Sequence, residues 1–220
     1  SGTFLLVTGS NMSGKSTLLR AIGVNLVLAG AGAPVCARSF RAPPVTLWTS
    51  MRVQDSLERG VSYFMAELQR LKQVVDAASR PAIGNRQPAT GNRQPAIGGR
   101  DGLSVDQENP RFFYLLDEIL QGTNTAERQI AARRIIAYLV ESGTIGAIST
   151  HDLTLADTPA LASHARMVHF TETIANHDGA PTMSFDYKLH AGLATSTNAL
   201  RLMEIVGLNV TGIDEPHAIP

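Results

Sequence analysis

Gly9-Ser10-Asn11-Met12-Ser13-Gly14-Lys15-Ser16 reads as G-x-x-x-x-G-K-S, with an apolar run before it and a helical pattern after it. Placed between a strand and a helix, this spacing is built to hold phosphates. Its glycines let successive backbone N–H groups curl round an anion, and the helix N-terminus adds positive potential. Lys15 would reach the β and γ phosphates of a bound nucleotide such as ATP, and the Ser16 hydroxyl would bind Mg²⁺; Thr17 closes this nucleotide-binding stretch. Residues 112–118, FFYLLDE, supply a second chemical group: a buried apolar strand that delivers carboxylates at its C-terminal end. Asp117 would hold Mg²⁺, and Glu118 beside the γ phosphate would polarise an attacking water.

Two further residues belong to the same chemistry. His151 follows the apolar run TIGAIS, at the strand end where a γ-phosphate sensor would sit. Ser62, preceded by Gly60, stands at the start of a helical pattern, where it is either an ordinary cap or an anion site made of its hydroxyl and free N–H groups.

The elements that must position these residues alternate between strand and helix, which predicts an α/β fold. Phe4–Thr8 reads as a buried strand, and from Ser16 the residues Leu18, Leu19, Ile22 and Leu26 recur at helical spacing. Residues 21–37 are mostly apolar but include Asn25, three glycines and Pro34, so they read as helix plus loop and not as a membrane span. Phe64, Leu68, Leu71, Val75 and Ala78 mark a second helix, residues 126–140 a third, and Thr144–Ser149 another strand. Met167–Phe170 and Met183–Leu189 read as a hairpin about Asp178-Gly179. A last helix is expected over Ser196–Val206, and a frayed tail from Asn209.

The chain has 220 residues, enough for one sizeable core, and its 44% hydrophobic content excludes wholly disordered and polytopic membrane classes. The sequence predicts one domain over residues 1–208 with a flexible tail, 209–220. A low-complexity insertion, residues 79–106, carries the repeats AIGNRQP and ATGNRQP and cannot bury an apolar face. Nineteen basic residues balance nineteen acidic ones, and without the four arginines and one aspartate of residues 79–101, 15 basic face 18 acidic. A chain gripping nucleic acid through phosphates would usually show a basic excess. The lone Cys36 forms no intramolecular disulfide, which fits a cytoplasmic location, and no targeting segment is visible at the start.

TGSNMSGKSTLLR, ERGVSYFMAEL, LLDEILQGTNTAER and STHDLTLA, in this order, resemble the ATPase domain of the MutS family of DNA mismatch repair proteins. Asn11-Met12 and Gly122-Thr123-Asn124-Thr125 are the family-like details, and FDYKLHAGLATSTNALRLMEIVGL resembles the family's ending. The resemblance covers about residues 3–208. It implies a P-loop NTPase fold of the ABC type, with a mainly parallel sheet flanked by helices and a β-hairpin near the C-terminus. It also implies a dimer, either a homodimer or one with a MutS-like partner subunit, enclosing two ATP·Mg²⁺ sites. Ser62 would act in trans on the partner's γ phosphate. Mismatched duplex DNA would be held by upstream domains, and this domain would make no membrane contact. Ser10 stands where the family usually has Pro, Asn124 where it often has Ser, and Glu127-Arg128 where Asp-Gly is usual, as in a divergent branch.

Rival readings are an ABC-class ATPase outside mismatch repair, against which the absence of a Ser-Gly-Gly-Gln-like string before residue 112 speaks, and a nucleotide-dependent switch with little turnover.

Overall fold

In the computed structural model, residues 2–51, 63–79, 110–121, 123–177 and 180–194 are described. Ser62, nearly all of the 79–106 insertion, the expected helix over 196–206 and the tail lie outside them.

The apolar runs form the interior of one sheet. β1 (Thr3–Thr8), β3 (Arg111–Asp117) and β4 (Ile145–Ser149) are joined by β2 (Val45–Ser50), β5 (Ala165–His169) and the short β8 (His190–Ala191), in the order β2-β3-β4-β1-β5-β8. All pairings are parallel except β5 with β8. β4 therefore lies between the strand that feeds the glycine-rich loop and the strand that ends in Asp117.

Parallel strands covered on both faces need apolar residues at every position, and alternate side chains divide between two cores. Leu6, Tyr114, Leu116 and Ile148 point to one face. There they meet Leu71 and Val74 of α2 (Tyr63–Ala78) and Ile136 and Leu139 of α3 (Thr125–Glu141). Val7, Leu115 and Ala147 point the other way, onto Leu19 of α1 (Lys15–Gly30). The result is helix, sheet and helix pair in three layers. Residues 21–37 are helix followed by loop, as the sequence predicts, and Asn25 Oδ1 secures the loop by accepting from the Cys36 N–H at 2.7 Å.

Two sequence expectations change. The edge strand β2 was not anticipated; it pairs in parallel with β3 from Val45↔Arg111 to Ser50↔Leu116. The hairpin is made of different strands from those expected. β6 (Glu172–His177) pairs with β7 (Ala180–Phe185) in a separate two-stranded sheet, whereas Met167–His169 belongs to β5 and pairs with β1. Strand β7 ends at Phe185, so Tyr187 and Leu189 do not continue its alternation. A four-residue α4 (Pro159–Ala162) packs between α3 and β5. Among the described residues no helix is long and apolar enough to cross a membrane.

The central strands leave no slack. Gly146 lies directly across from Tyr114, and a Cβ on it would fall 2.5 Å from the Tyr114 ring and from its carbonyl oxygen. Gly146→Ala is therefore expected to lower stability by about 1–3 kcal/mol through overpacking, read as a fall in the urea midpoint at unchanged slope.

Candidate functional site

The glycine-rich loop leaves the C-terminal end of β1 and enters α1 at Lys15. Gly9 (φ 137°), Met12 (φ 68°) and Gly14 (φ 106°) all occupy the positive-φ region, which turns the backbone back on itself around a hollow. At Gly9 a Cβ would come within 3.0 Å of the Phe170 carbonyl and the Ser13 hydroxyl, so only glycine fits there. Gly14 is the N-cap of α1, yet no side chain caps the helix and no acidic residue occupies its first turn. The first N–H groups and the positive end of the helix dipole thus face the loop uncompensated, the arrangement that favours an anion.

Lys15 is only 4% exposed. Its ammonium donates to the carbonyls of Gly9 (2.9 Å) and Ser10 (2.8 Å) and lies 3.4 Å from Glu118 Oε1. Ser16 Oγ donates to Asp117 Oδ1 at 2.9 Å, and the fully buried Ser149 hydroxyl of β4 donates to the same oxygen. His151, half-exposed just beyond β4, places Nδ1 3.8 Å from Glu118 Oε1, and Gln121 Nε2 donates to Glu118 Oε2 at 2.6 Å. Lys15, Ser16, Asp117, Glu118 and His151 therefore come together. Ser62 lies outside the described residues.

A cavity of about 1370 Å³ opens over the loop. Asn11, Met12 and Thr17 line it together with Lys15, Ser16 and the two carboxylates, while Ser10 turns aside and donates from Oγ to Glu172 Oε2 at 3.1 Å. Ser13 Oγ is buried inside the loop with no hydrogen-bond partner among the described residues. Buried hydroxyls are normally satisfied, so this orphan fits a loop that holds phosphate oxygens. Ser16 and Asp117 form an all-oxygen pair on the cavity wall, a donor set suited to a hard divalent cation such as Mg²⁺.

Sequence reasoning missed contributors of two kinds in this region. Tyr187, 66% exposed at φ 52°, and Phe170 both line the cavity, the Tyr187 ring 3.5 Å from where a Gly14 Cβ would stand. The signal was Asp186, whose carboxylate accepts from the Lys188 N–H at 2.9 Å and turns the chain where the apolar alternation suggested continued strand. The other is Glu67 of α2, an acid on the apolar face marked by Phe64 and Leu71; its carboxylate accepts from the Leu120 N–H at 2.5 Å. Glu118 (φ 48°), Leu120 (φ 63°), Met12 and Tyr187 are the non-glycine residues at positive φ among the described residues; all but the buried Leu120 line the cavity.

Helix α3 starts close by. Asn124 is its N-cap, accepting from the Glu127 N–H at 2.9 Å, and Thr123 Oγ1 donates to the Glu127 carboxylate at 2.6 Å. Asp152 accepts from the side chain and backbone of Thr154. Burial pushes its carboxyl up, but these bonds, with help from Gln129 and Arg128, outweigh that and leave it below the usual range.

Residues 5–83 match the family model of MutS domain V. The chain is 28% identical over 211 residues to the DNA mismatch repair protein MutS of Natronomonas pharaonis, covering 95% of this chain and 21% of that protein. It is 25% identical over 224 residues to the DNA mismatch repair protein MSH3 of Candida glabrata (100% and 19%). It is 27% identical over 210 residues to the human MutS protein homolog 4 (93% and 20%). The chain thus spans about a fifth of the length of the curated relatives it matches.

Removing the Ser149 hydroxyl takes a buried donor from a carboxylate. Ser149→Ala is expected to cost about 1.5–3 kcal/mol of stability, measured by urea unfolding, and an unchanged midpoint would show that Ser16 alone satisfies Asp117.

Proposed function

We propose that this chain is the ATP-binding and ATP-hydrolysing domain of a MutS-family protein, with a P-loop fold of the ABC type. Residues 1–208 form the domain, with residues 79–106 inserted in it and 209–220 as a tail. The observation that carries the reading is the convergence of Lys15, Ser16, Asp117 and Glu118, from the ends of β1 and β3, on one cavity, with His151 beyond β4 set 3.8 Å from Glu118 behind it. The family-model match and the relatives support it, as does β4, which sets His151 between the loop and the acidic strand end.

Residues 9–17 bind the phosphates. In the nucleotide-bound site the Lys15 ammonium exchanges loop carbonyls for β and γ phosphoryl oxygens, and the loop N–H groups stabilise the charge that develops there. Ser16 and Asp117 hold Mg²⁺, which supplies charge neutralisation at those oxygens when bound. Glu118 orients a water and takes its proton as the water oxygen bonds to the γ phosphorus and the bond to the β–γ bridging oxygen breaks. His151 senses the γ phosphate through its proximity to Glu118. Tyr187 offers an exposed flat face for the base.

The working unit is a homodimer or a dimer with a MutS-like partner, with two ATP·Mg²⁺ sites and Ser62 acting in trans. The parent protein handles DNA, including mismatched duplex, through parts outside this chain, a division supported by the chain's neutral charge and by the small share of its relatives that it spans. A cytoplasmic setting fits the single free Cys36. Ser10, Asn124, Glu127 and Arg128 support a divergent branch.

Glu118→Gln is expected to keep ATP affinity while slowing single-turnover hydrolysis by about a hundredfold or more. An unchanged rate would remove Glu118 from the chemistry. Lys15→Ala is expected to raise the ATP Kd about tenfold or more by calorimetry, and an unaltered Kd would contradict the phosphate-loop reading.

A further inference from the structure

The turn after β3 carries Glu118 in a conformation its own sequence does not favour. Glu118 and Leu120 both lie in the left-handed region, at φ 48° and 63°, where a side chain is strained. Such a turn persists only when its surroundings over-determine it. On one side the constraint is plain: the Glu118 N–H donates to the Ser149 carbonyl at 3.1 Å, which fixes the start of the turn to β4.

On the other side stands Glu67. It is 4% exposed, on the same apolar face of α2 as the core residues Leu71 and Val74. A leucine or methionine would serve packing better there, because a buried carboxyl loses hydration. Burial pushes this carboxyl above its usual range, opposed by bonds from the Leu120 and Gln121 N–H groups. The carboxyl gains little else: Oε1 accepts from Leu120 at 2.5 Å, and Oε2 has no hydrogen-bond partner among the described residues. The Gln121 side chain in turn donates to Glu118 Oε2, so the backbone that Glu67 grips also carries a group that orients Glu118.

We propose that Glu67 is a positioning residue for ATP hydrolysis: by holding the Leu120–Gln121 backbone it keeps the strained turn closed and the Glu118 carboxylate aimed at Lys15 and His151. The assignment of a catalytic consequence rests on the ATPase reading above; the holding of the turn does not.

The test uses the 220-residue chain with Glu67→Met, which keeps the volume but removes the acceptor, and Glu67→Gln, whose amide oxygen can take the same N–H bonds. In Glu67→Met, amide exchange at Leu120 and Gln121 should accelerate by about tenfold or more while β1 and β4 keep their protection. Single-turnover hydrolysis should fall by roughly ten- to a hundredfold with ATP Kd changed less than about threefold. Glu67→Gln should stay near the parent in both readouts. The proposal is overturned by fast exchange of the Leu120 amide in the parent chain, by unchanged exchange in Glu67→Met, by a loss that appears in Kd in place of the rate, or by equal losses in both variants. A parent chain that neither binds nor hydrolyses ATP would sink the ATPase reading instead, and the exchange data would still decide whether Glu67 holds the turn.

Discussion

Three separate pieces of chain meet at one oxygen. Asp117 Oδ1 accepts from the Ser16 hydroxyl at the start of α1 and from the Ser149 hydroxyl at the end of β4. Asp117 itself closes β3, so the contact joins the glycine-rich loop, the acidic strand end and the strand between them. The sheet makes this possible because its parallel strands bring all their C-terminal ends to one edge, the edge at which α/β proteins usually place their sites. The carboxylate is 7% exposed and Ser149 fully buried, so the junction is shielded from water that would otherwise compete for it. Hydroxyl donors can also rotate, so Ser16 is able to leave Asp117 for a shared cation without moving the backbone.

Around that fixed point lies strain. Met12, Glu118, Leu120 and Tyr187 hold positive φ without being glycine, and each such residue costs of the order of 1–2 kcal/mol. Scattered through the molecule, these costs would have no common explanation. With three of them lining one cavity and Leu120 buried in the turn just behind it, they imply that the surrounding packing is rigid enough to impose them. The two cores provide that rigidity: Leu115, Leu116, Ile148 and Val7 are almost wholly buried directly behind the loops that carry the strain.

Much of this was legible in the sequence, for a reason that also explains what was not. β1, β3 and β4 are covered on both faces, so they appear as apolar runs, and α1 and α3 follow β1 and β3 at helical spacing. The chemically distinctive residues sit at the ends of those runs, in contiguous motifs, which is why Lys15, Ser16, Asp117, Glu118 and His151 could be named before their geometry was known. β2 is an edge strand, only partly buried and interleaved with Thr46 and Thr49, and its pattern is diluted accordingly. In the hairpin the alternation is present, but alternation does not encode which run is the partner. Met167–His169 satisfies the pattern equally well beside β1, where the parallel register places it. Tyr187 and Glu67 reach this region through tertiary contacts: Tyr187 fits the alternation of a strand, and nothing in the helical pattern of α2 marks Glu67 as a partner of the turn after β3.

Side-chain hydrogen bonds restrain the loop and the start of α3. A proline at position 10 would fix φ by its ring; Ser10 lacks that restraint but gains a hydroxyl, which donates to Glu172 at the start of β6. Glu172 is buried, so the bond is protected from solvent and tethers the loop to the hairpin. Asn124 caps α3 by accepting from the Glu127 N–H, and the Thr123 hydroxyl donates to the Glu127 carboxylate. The geometry of the loop then depends on β6 staying in place, and just before β6 the Phe170 N–H donates to the Thr8 carbonyl at 3.1 Å. Phe170 also lines the cavity, so whatever occupies the cavity bears on the same segment that anchors the loop.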